Sequence, residues 1–338
     1  MRLILGLIAM LMLFGCTIGE EPLNGENVTN DSNGTPSPVT IILEEQENQT
    51  IEQNFTEEEE PVDEESVTTE LEYEYVPEEN VGVYFIYVGG PGLHGDAILI
   101  KKGDFDMLID AGPQENAGKV VDFLNSRDVD DIEVLVSTNA DPRHYGGLDL
   151  IADNFDIEHV WWSGETFDDQ EYAAVVERLE DDSKLVTEVE KGFVADLNGM
   201  AVEVLNPPKV GFEDVNNDAI VTRITDRNFS LLLTSGIQSG AQGKLANEQP
   251  GKIKNHVIQA PYYGVGAGTS GIGIFLITAD PDDMVISGSS DDSPENGGSR
   301  EPYKRLMKQY GIAWYENYVN GTIRITTDGQ SYAVQGLG

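Results

Sequence analysis

The chain of 338 residues has one cysteine, four histidines and only 20 lysines and arginines. Each scarcity closes off a class of explanation. A single cysteine, Cys16, excludes any disulfide within the chain. Against those 20 cations stand 61 aspartates and glutamates, a formal net charge of -41. A surface that grips nucleic acid needs a Lys/Arg footprint to displace counterions from phosphates, so nucleic-acid binding is disfavoured. The four histidines, His94, His144, His159 and His256, leave little imidazole for a metal centre built on three or four His, Cys or carboxylate ligands. Neither a G-x-S-x-G elbow, a Walker loop nor a Rossmann fingerprint stands in strand-to-helix context.

What is present begins with an address. Arg2 precedes an apolar stretch, Leu3 to Phe14, too short for the roughly 20 residues a bilayer-spanning helix needs and suited to a cleavable export signal. Leu13-Phe-Gly-Cys16 looks like a lipobox, so residues 1–16 are expected to be a lipoprotein-type signal peptide with Cys16 acylated. This places the chain at the outer face of the cytoplasmic membrane, with the membrane as partner through its lipid anchor. Residues 17–80 contain no Lys or Arg, include Glu57-Glu-Glu-Glu60 and hold few bulky apolar groups. Such a segment cannot bury enough apolar surface to offset its ordering entropy and is expected to be an acidic, disordered tether. It carries sequons at Asn27, Asn30, Asn33, Asn48 and Asn54, compatible with a glycosylated stalk. Two more, Asn228-Phe-Ser and Asn320-Gly-Thr, fall beyond it, where burial excludes or permits modification.

From residue 81 to 338 the composition suits a folded domain. Val83–Val88 reads as a strand, and Asp96–Lys101 with Phe105–Ile109 as a hairpin. Asn116–Arg127 has a helical apolar face in Val120, Val121, Phe123 and Leu124. Strands follow at Ile132–Ser137, Ile157–Trp161 and Leu185–Val189, with a helix at Gln170–Leu179. In the second half, Met200–Leu205 is a strand, Ala219–Thr225 and Phe229–Thr234 a second hairpin, and His256–Gln259 and Asp283–Ser287 further strands. A helix at Glu301–Tyr310 and strands at Ile312–Tyr315, Gly321–Thr326 and Tyr332–Val334 close the chain. No repeat of fixed period stands out. The order calls for an α/β fold (α+β by some schemes) of two sheets, each with helices on its outer face.

The chemistry-bearing stretch is Ser137-Thr-Asn-Ala-Asp-Pro-Arg-His-Tyr-Gly-Gly147, a polar loop between a buried strand and a helix from about Leu148. Its layout resembles the ligand motif H-x-H-x-D-H-x-G-G of the metallo-β-lactamase fold superfamily, most sharply the hydrolase domain of ComEC-type competence proteins. Tyr87-Val-Gly with His94-Gly-Asp-Ala-Ile-Leu-Ile100 resembles the opening D-V-G-Q-G-D-A-x-L-I of those domains. Leu108-Ile-Asp-Ala-Gly112 resembles L-I-D-x-G, Asn216-Asn-Asp-Ala-Ile220 resembles N-N-x-S-L-V, and Leu231-Leu-Leu-Thr-Ser-Gly-Ile237 resembles L-L-L-T-G-D-I. Ala260-Pro-Tyr-Tyr-Gly264 stands where the family has V-P-H-H-G.

The resemblance implies a four-layer αββα sandwich and one or two metal ions that acidify water into a nucleophile. It also shows most ligands replaced. Asn139, Asp141 and Arg143 stand where His, His or Asp, and Asp belong; Gly236 replaces the bridging Asp; Tyr262 and Tyr263 replace the distal His pair. Of the ligand positions only His144 is kept, while Asp110 retains the family's role of supporting the metal loop. Arg143 is expected to put positive charge where metal sits in relatives, pairing with Asp141 or Asp110.

The pocket candidates are therefore Asn139, Asp141, Arg143, His144, Asp110, Tyr262 and Tyr263. The reading is a non-enzymatic surface domain, binding a small molecule or protein or serving as a scaffold, with no cofactor. The alternative is a metal-dependent hydrolase of phosphodiesterase or nuclease type, with one divalent ion (Zn or Mn) on His144, Asp141 and Asp110. Trp161 and Trp162 are expected to place one ring in the core and one at the rim, the Gly264–Gly268 run to form a loop rim, and Asp291, Asp292 and Glu295 to offer Ca²⁺ oxygen ligands.

Overall fold

The computed structural model describes residues 80–90, 93–183, 185–265, 269–288 and 299–338, without the side chains of 269–272. The expected signal segment, the tether with its sequons, and Asp291, Asp292 and Glu295 lie outside the described residues. Among those described, no helix is long and apolar enough to cross a membrane.

The first half opens with three antiparallel strands, β1 (Val81–Phe85), β2 (Ile98–Lys102) and β3 (Phe105–Ile109). Three parallel strands continue the sheet: β4 (Asp131–Val136), β5 (Asp156–Trp162) and β6 (Leu185–Glu188). The crossovers hold helices α1 (Ala117–Asn125), α2 (Pro142–Tyr145), α3 (Leu148–Ala152) and α4 (Gln170–Asp182). Asp169 starts α4 by accepting the N–H groups of Glu171 and Tyr172 at 2.9 and 3.0 Å, satisfying donors that a helix N-terminus leaves unpaired.

The second half uses the same order. After β7 (Val194–Leu197), three antiparallel strands, β8 (Met200–Asn206), β9 (Val221–Asp226) and β10 (Phe229–Leu233), lead into three parallel ones. These are β11 (Val257–Gln259), β12 (Asp283–Ile286) and β13 (Ala313–Glu316). Helices α5 (Ser239–Glu248), α6 (Thr269–Ala279) and α7 (Glu301–Tyr310) are the crossovers. The short helix α8 (Asn317–Asn320) then leads back to the first sheet, which gains β14 (Ile323–Thr327) beside β1 and β15 (Tyr332–Gly336) at its edge. The sheet orders are β15-β14-β1-β2-β3-β4-β5-β6 and β13-β12-β11-β10-β9-β8-β7. A topological repeat is thus present where no sequence period announces one.

Strand alternation decides the layers. Val83, Phe85, Ile98, Ile100, Val134, Val136, Val202, Val204, Leu231 and Leu233 meet between the sheets. The opposite faces bury Leu99, Leu108 and Leu135 under α1, α3 and α4, and Leu205, Leu232 and Ile258 under α5, α6 and α7. This is the four-layer αββα sandwich. Trp161 and Trp162 correct one expectation: they are 2% and 8% exposed, one ring between the sheets and the other under the helices, so neither lies at a rim.

Candidate functional site

Polar loops from both halves meet where the parallel strands end. From the first half come Asp110, directly after β3, and the stretch Ser137–Gly147 after β4. From the second come Thr234-Ser-Gly236 after β10, Ala260–Gly264 after β11, and Ser287-Gly288 after β12. Asp110 and Ser235, at comparable places in the two halves, both have left-handed backbone, φ 58° and 50°. Such conformations cost non-glycine residues energy and persist only where surroundings enforce them.

The glycine pair of the motif serves close backbone approach. A Cβ on Gly147 would stand 2.3 Å from the carbonyl oxygen of Ala111, so the loop after β4 lies directly on the loop after β3. That contact brings His144 against Asp110. His144 is fully buried, and its Nδ1 lies 2.7 Å from Asp110 Oδ2. Asp110 also accepts the Thr138 N–H at 2.8 Å and the Thr138 hydroxyl at 2.6 Å, so it ties the loop together as its supporting role implies. The other ring nitrogen, Nε2, lies 2.7 Å from the Tyr263 hydroxyl. His144 thus sits between a carboxylate of the first half and a phenol of the second. A further cross-link joins the Thr138 and Ser235 hydroxyls at 2.7 Å.

Asp141 is engaged elsewhere. It caps α2 through the Arg143 N–H at 2.9 Å, and both of its oxygens accept the Arg143 guanidinium, Nε at 2.9 and 3.0 Å and the terminal Nη2 as well. Of the two partners expected for Arg143, Asp141 is the one taken. The guanidinium also lies over the rings of Tyr262 and Tyr263, 5.4 and 5.2 Å from their centroids. Tyr262 and Tyr263 have positive φ, 46° and 57°, in the turn that presents them. Tyr263 is buried and Tyr262 half-buried.

At Gly236, where the resemblance places a bridging aspartate, the neighbours show what fills the space. A Cβ there would be 2.8 Å from Asn216 Oδ1 and 3.0 Å from Asn139 Nδ2. The two asparagine amides occupy the volume, and a larger residue has to displace them.

Several residues at the site escaped sequence reasoning. Asp96 is 2% exposed, and neither carboxylate oxygen accepts a well-formed hydrogen bond. It faces His144 Nδ1 at 3.8 Å, with Ser287 and Gln259 beside it. His94 stacks on Tyr263 with ring centroids 5.2 Å apart. Arg300, fully buried, donates through Nε to the Tyr263 carbonyl at 2.9 Å and has Nη2 3.2 Å from His94 Nδ1. The His94-Gly-Asp96 stretch carried a signal for its two members, but Arg300 lies 206 positions from its histidine partner, and nothing local marks it.

Burial disfavours charge on each of these groups, and the pairings decide which keep it. Asp96 is pushed above the ordinary carboxylate range by burial, only partly offset by the nearby His144. Burial likewise opposes ionisation of Asp141, but the Arg143 hydrogen bonds outweigh it and hold that carboxyl low. For His144, burial opposes the imidazolium and Asp110 more than compensates, so its pKa is raised. Burial and the Asp96 charge push the Tyr263 phenol well up, keeping it a neutral hydroxyl. Among the described residues, no group of three or more His, Cys, Asp or Glu side chains is arranged to hold a metal ion.

Two sheets of repeated topology between helical layers, with polar loops gathered at the ends of the parallel strands, define an αββα sandwich. Residues 90–207 match the model of the metallo-beta-lactamase superfamily. Similar solved structures include the metallo-beta-lactamase fold protein YhfI from Bacillus subtilis, at 10% identity and TM-score 0.49, covering 72% of this chain and 99% of that one. Igni18, a metallo hydrolase from Ignicoccus hospitalis, matches at 11% identity and TM-score 0.45, covering 72% and 98%. CmlA, a diiron beta-hydroxylase from Streptomyces venezuelae, matches at 15% identity and TM-score 0.48, covering 75% of this chain and 54% of that one. No curated protein matches the sequence.

Proposed function

We propose that this is an exported, lipid-anchored domain, related to the ComEC-type hydrolases, whose cleft binds a small molecule or a protein segment without a resident metal. One observation carries the reading: the surviving ligand-type side chains are already committed to protein partners. Both ring nitrogens of His144 are in hydrogen bonds, to Asp110 and Tyr263, and both oxygens of Asp141 face Arg143. Zinc takes one ring nitrogen of a histidine and carboxylate oxygens at about 2.0–2.2 Å. A His144 Nδ1 bonded to a carboxylate is compatible with ligation through Nε2, so coordination has to displace the Tyr263 hydroxyl from Nε2 and Arg143 from Asp141. A dication would also meet the Arg143 charge, a repulsion of several kcal/mol at about 4 Å and an effective dielectric of about 20. The donor set does not fit a divalent ion.

In this reading Arg143 and the His144–Asp110 pair supply the positive and negative charge that metal and ligands supply in relatives. Tyr262, half-buried beside the guanidinium, offers a ring face and a hydroxyl to a ligand.

Asp96 favours a second reading. A buried carboxylate whose oxygens accept no well-formed hydrogen bond is a candidate acceptor for a donor or a cation, and it lies beside His144, whose Nδ1 is 3.8 Å away. Phosphodiesterase assays of the full chain with added Mn²⁺ or Zn²⁺ separate the two. The first reading predicts no metal-dependent turnover. Turnover that requires the metal and disappears in His144→Ala establishes the second.

A further inference from the structure

The eight-stranded sheet ends in β15, and among the described residues nothing pairs with its outer side. An exposed edge of unpaired N–H and C=O groups is a template for pairing with another chain, which proteins blunt with charges, proline, bulges or a cover. The other three edges carry a charge: Glu188 in β6, Asp196 in β7 and Glu316 in β13. β15 reads Tyr332-Ala-Val-Gln-Gly336, with neither charge nor proline.

Both sequons of the described region stand at the two ends of this strand. Asn228, exposed in the β9–β10 turn, donates its backbone N–H to Gly329 O at 2.8 Å and its Nδ2 to Gln330 Oε1 at 2.6 Å, just before β15 begins. Asn320, also exposed, lies where β15 ends. Its carbonyl accepts the Gly338 N–H at 3.0 Å, and a Cβ on Gly336 would stand 2.8 Å from the Asn320 Cβ. Asn320 Oδ1 accepts the Glu316 N–H at 3.2 Å, which turns the amide nitrogen, the atom that N-glycosylation modifies, away from the helix.

We infer that Asn228 and Asn320 carry N-linked glycans, and that the pair guards the open edge of β15. The inference rests on the export reading, because the transferase and its donor act on exported chains. The transfer joins Asn Nδ2 to the anomeric carbon of an oligosaccharide carried on a lipid phosphate. The anomeric C–O bond breaks, the lipid phosphate departs with the bonding electrons, and one amide proton is released. The second Nδ2 proton of Asn228 remains to hold Gln330. The sequon hydroxyls are used by the fold: Ser230 Oγ lies 3.1 Å from His256 Nδ1, and Thr322 Oγ1 accepts the Tyr87 N–H at 3.1 Å. Attachment therefore precedes the packing of these hydroxyls, and the folded domain accommodates the product because both asparagines face solvent. Five residues at about 3.4 Å each span about 17 Å, so a bulky polar group at either end leaves little free edge for a second strand.

The test uses the full chain purified from its own host. Peptide mass spectrometry is expected to find oligosaccharide mass on the Asn228 and Asn320 peptides, and light scattering to find a monomer. The double variant Asn228→Gln/Asn320→Gln is expected to self-associate with rising concentration, and adding Ala333→Lys, a charge on the exposed face of β15, to restore the monomer. Bare Asn228 and Asn320 peptides overturn the inference, and a double variant that stays monomeric overturns the guarding role. The N-terminal peptide is read in the same experiment. Acylated Cys16 beside bare asparagines leaves the export reading standing; an unprocessed Met1 terminus removes both.

Discussion

The two halves of the sandwich share a topology, three antiparallel strands followed by three parallel ones, but equip their loops differently. The first half places Asp96, Asp110, Asp141, Arg143 and His144 at the shared cleft; the second answers with Ser235, Gly236, Gln259, Tyr262 and Tyr263. The first half supplies most of the ionisable groups, and the second adds hydroxyls, an amide, a glycine and the buried Arg300. Asp141 and Asp110 of the first half are engaged by Arg143 and His144 of the same half, while the Tyr263 hydroxyl and the Arg300 guanidinium of the second half reach His144 and His94. Most of the charge at the cleft thus comes from the first half, with Arg300 the contribution of the second.

The largest test of this division is the tie between halves at the far side of the sandwich. Lys102 of β2 and Asp226 of β9 form an ion pair at 3.0 Å, each side chain 3% exposed. Asp226→Ala strands the buried ammonium and is expected to cost about 3–5 kcal/mol in denaturant unfolding. A loss below about 1 kcal/mol indicates that the halves do not depend on this tie.

At the cleft, Tyr263→Phe removes the one hydroxyl bonded to His144 Nε2. A loss of about 1–3 kcal/mol is expected, with the His144 ring resonances shifting in NMR spectra; unchanged resonances contradict the bond. Gly236→Asp restores the missing carboxylate where Asn216 and Asn139 sit. It is expected to destabilise by about 1–3 kcal/mol through overpacking and to bring no stoichiometric metal. If the variant gains a bound metal ion instead, the second half lacked only a ligand.

The most gradual effect belongs to the first half alone. Asp106 and Glu133, on adjacent strands, are raised by burial to about 7 and about 8, respectively. Unfolded carboxyls titrate near pH 4, so between about pH 4 and 8 the folded chain binds more protons than the unfolded one. Stability therefore falls as pH rises through that window. Thermal melts are expected to drop steadily from about pH 5 to 8, and Glu133→Gln to flatten the decline; a rise in melting temperature contradicts the assignment.

Much of the fold was legible because strands and hairpins announce themselves locally. The hairpin over Asp96–Ile109 and the helix at Glu301–Tyr310 lie close to their observed positions. Helices α5 and α6 were not anticipated. Ser239-Gly-Ala-Gln-Gly-Lys carries two glycines in two turns, and Thr269–Ala279 is apolar nearly all round, so neither shows the one-sided stripe that marks a surface helix. The repeat stayed hidden because topology, unlike periodicity, leaves no trace in spacing. At the site, the loop after β4 and both tyrosines were readable from motif positions. Asp96 stood inside a motif without being singled out, and Arg300 carried no local signal, since its partners Tyr263 and His94 are distant in sequence.

The proposed function requires that this cleft do without a bound metal. Elemental analysis of the purified full chain after incubation with Zn²⁺ and Mn²⁺ and removal of loosely held ions addresses it directly. The account predicts well under one equivalent of either metal, unchanged by His144→Ala. One equivalent of zinc or manganese that His144→Ala abolishes contradicts it.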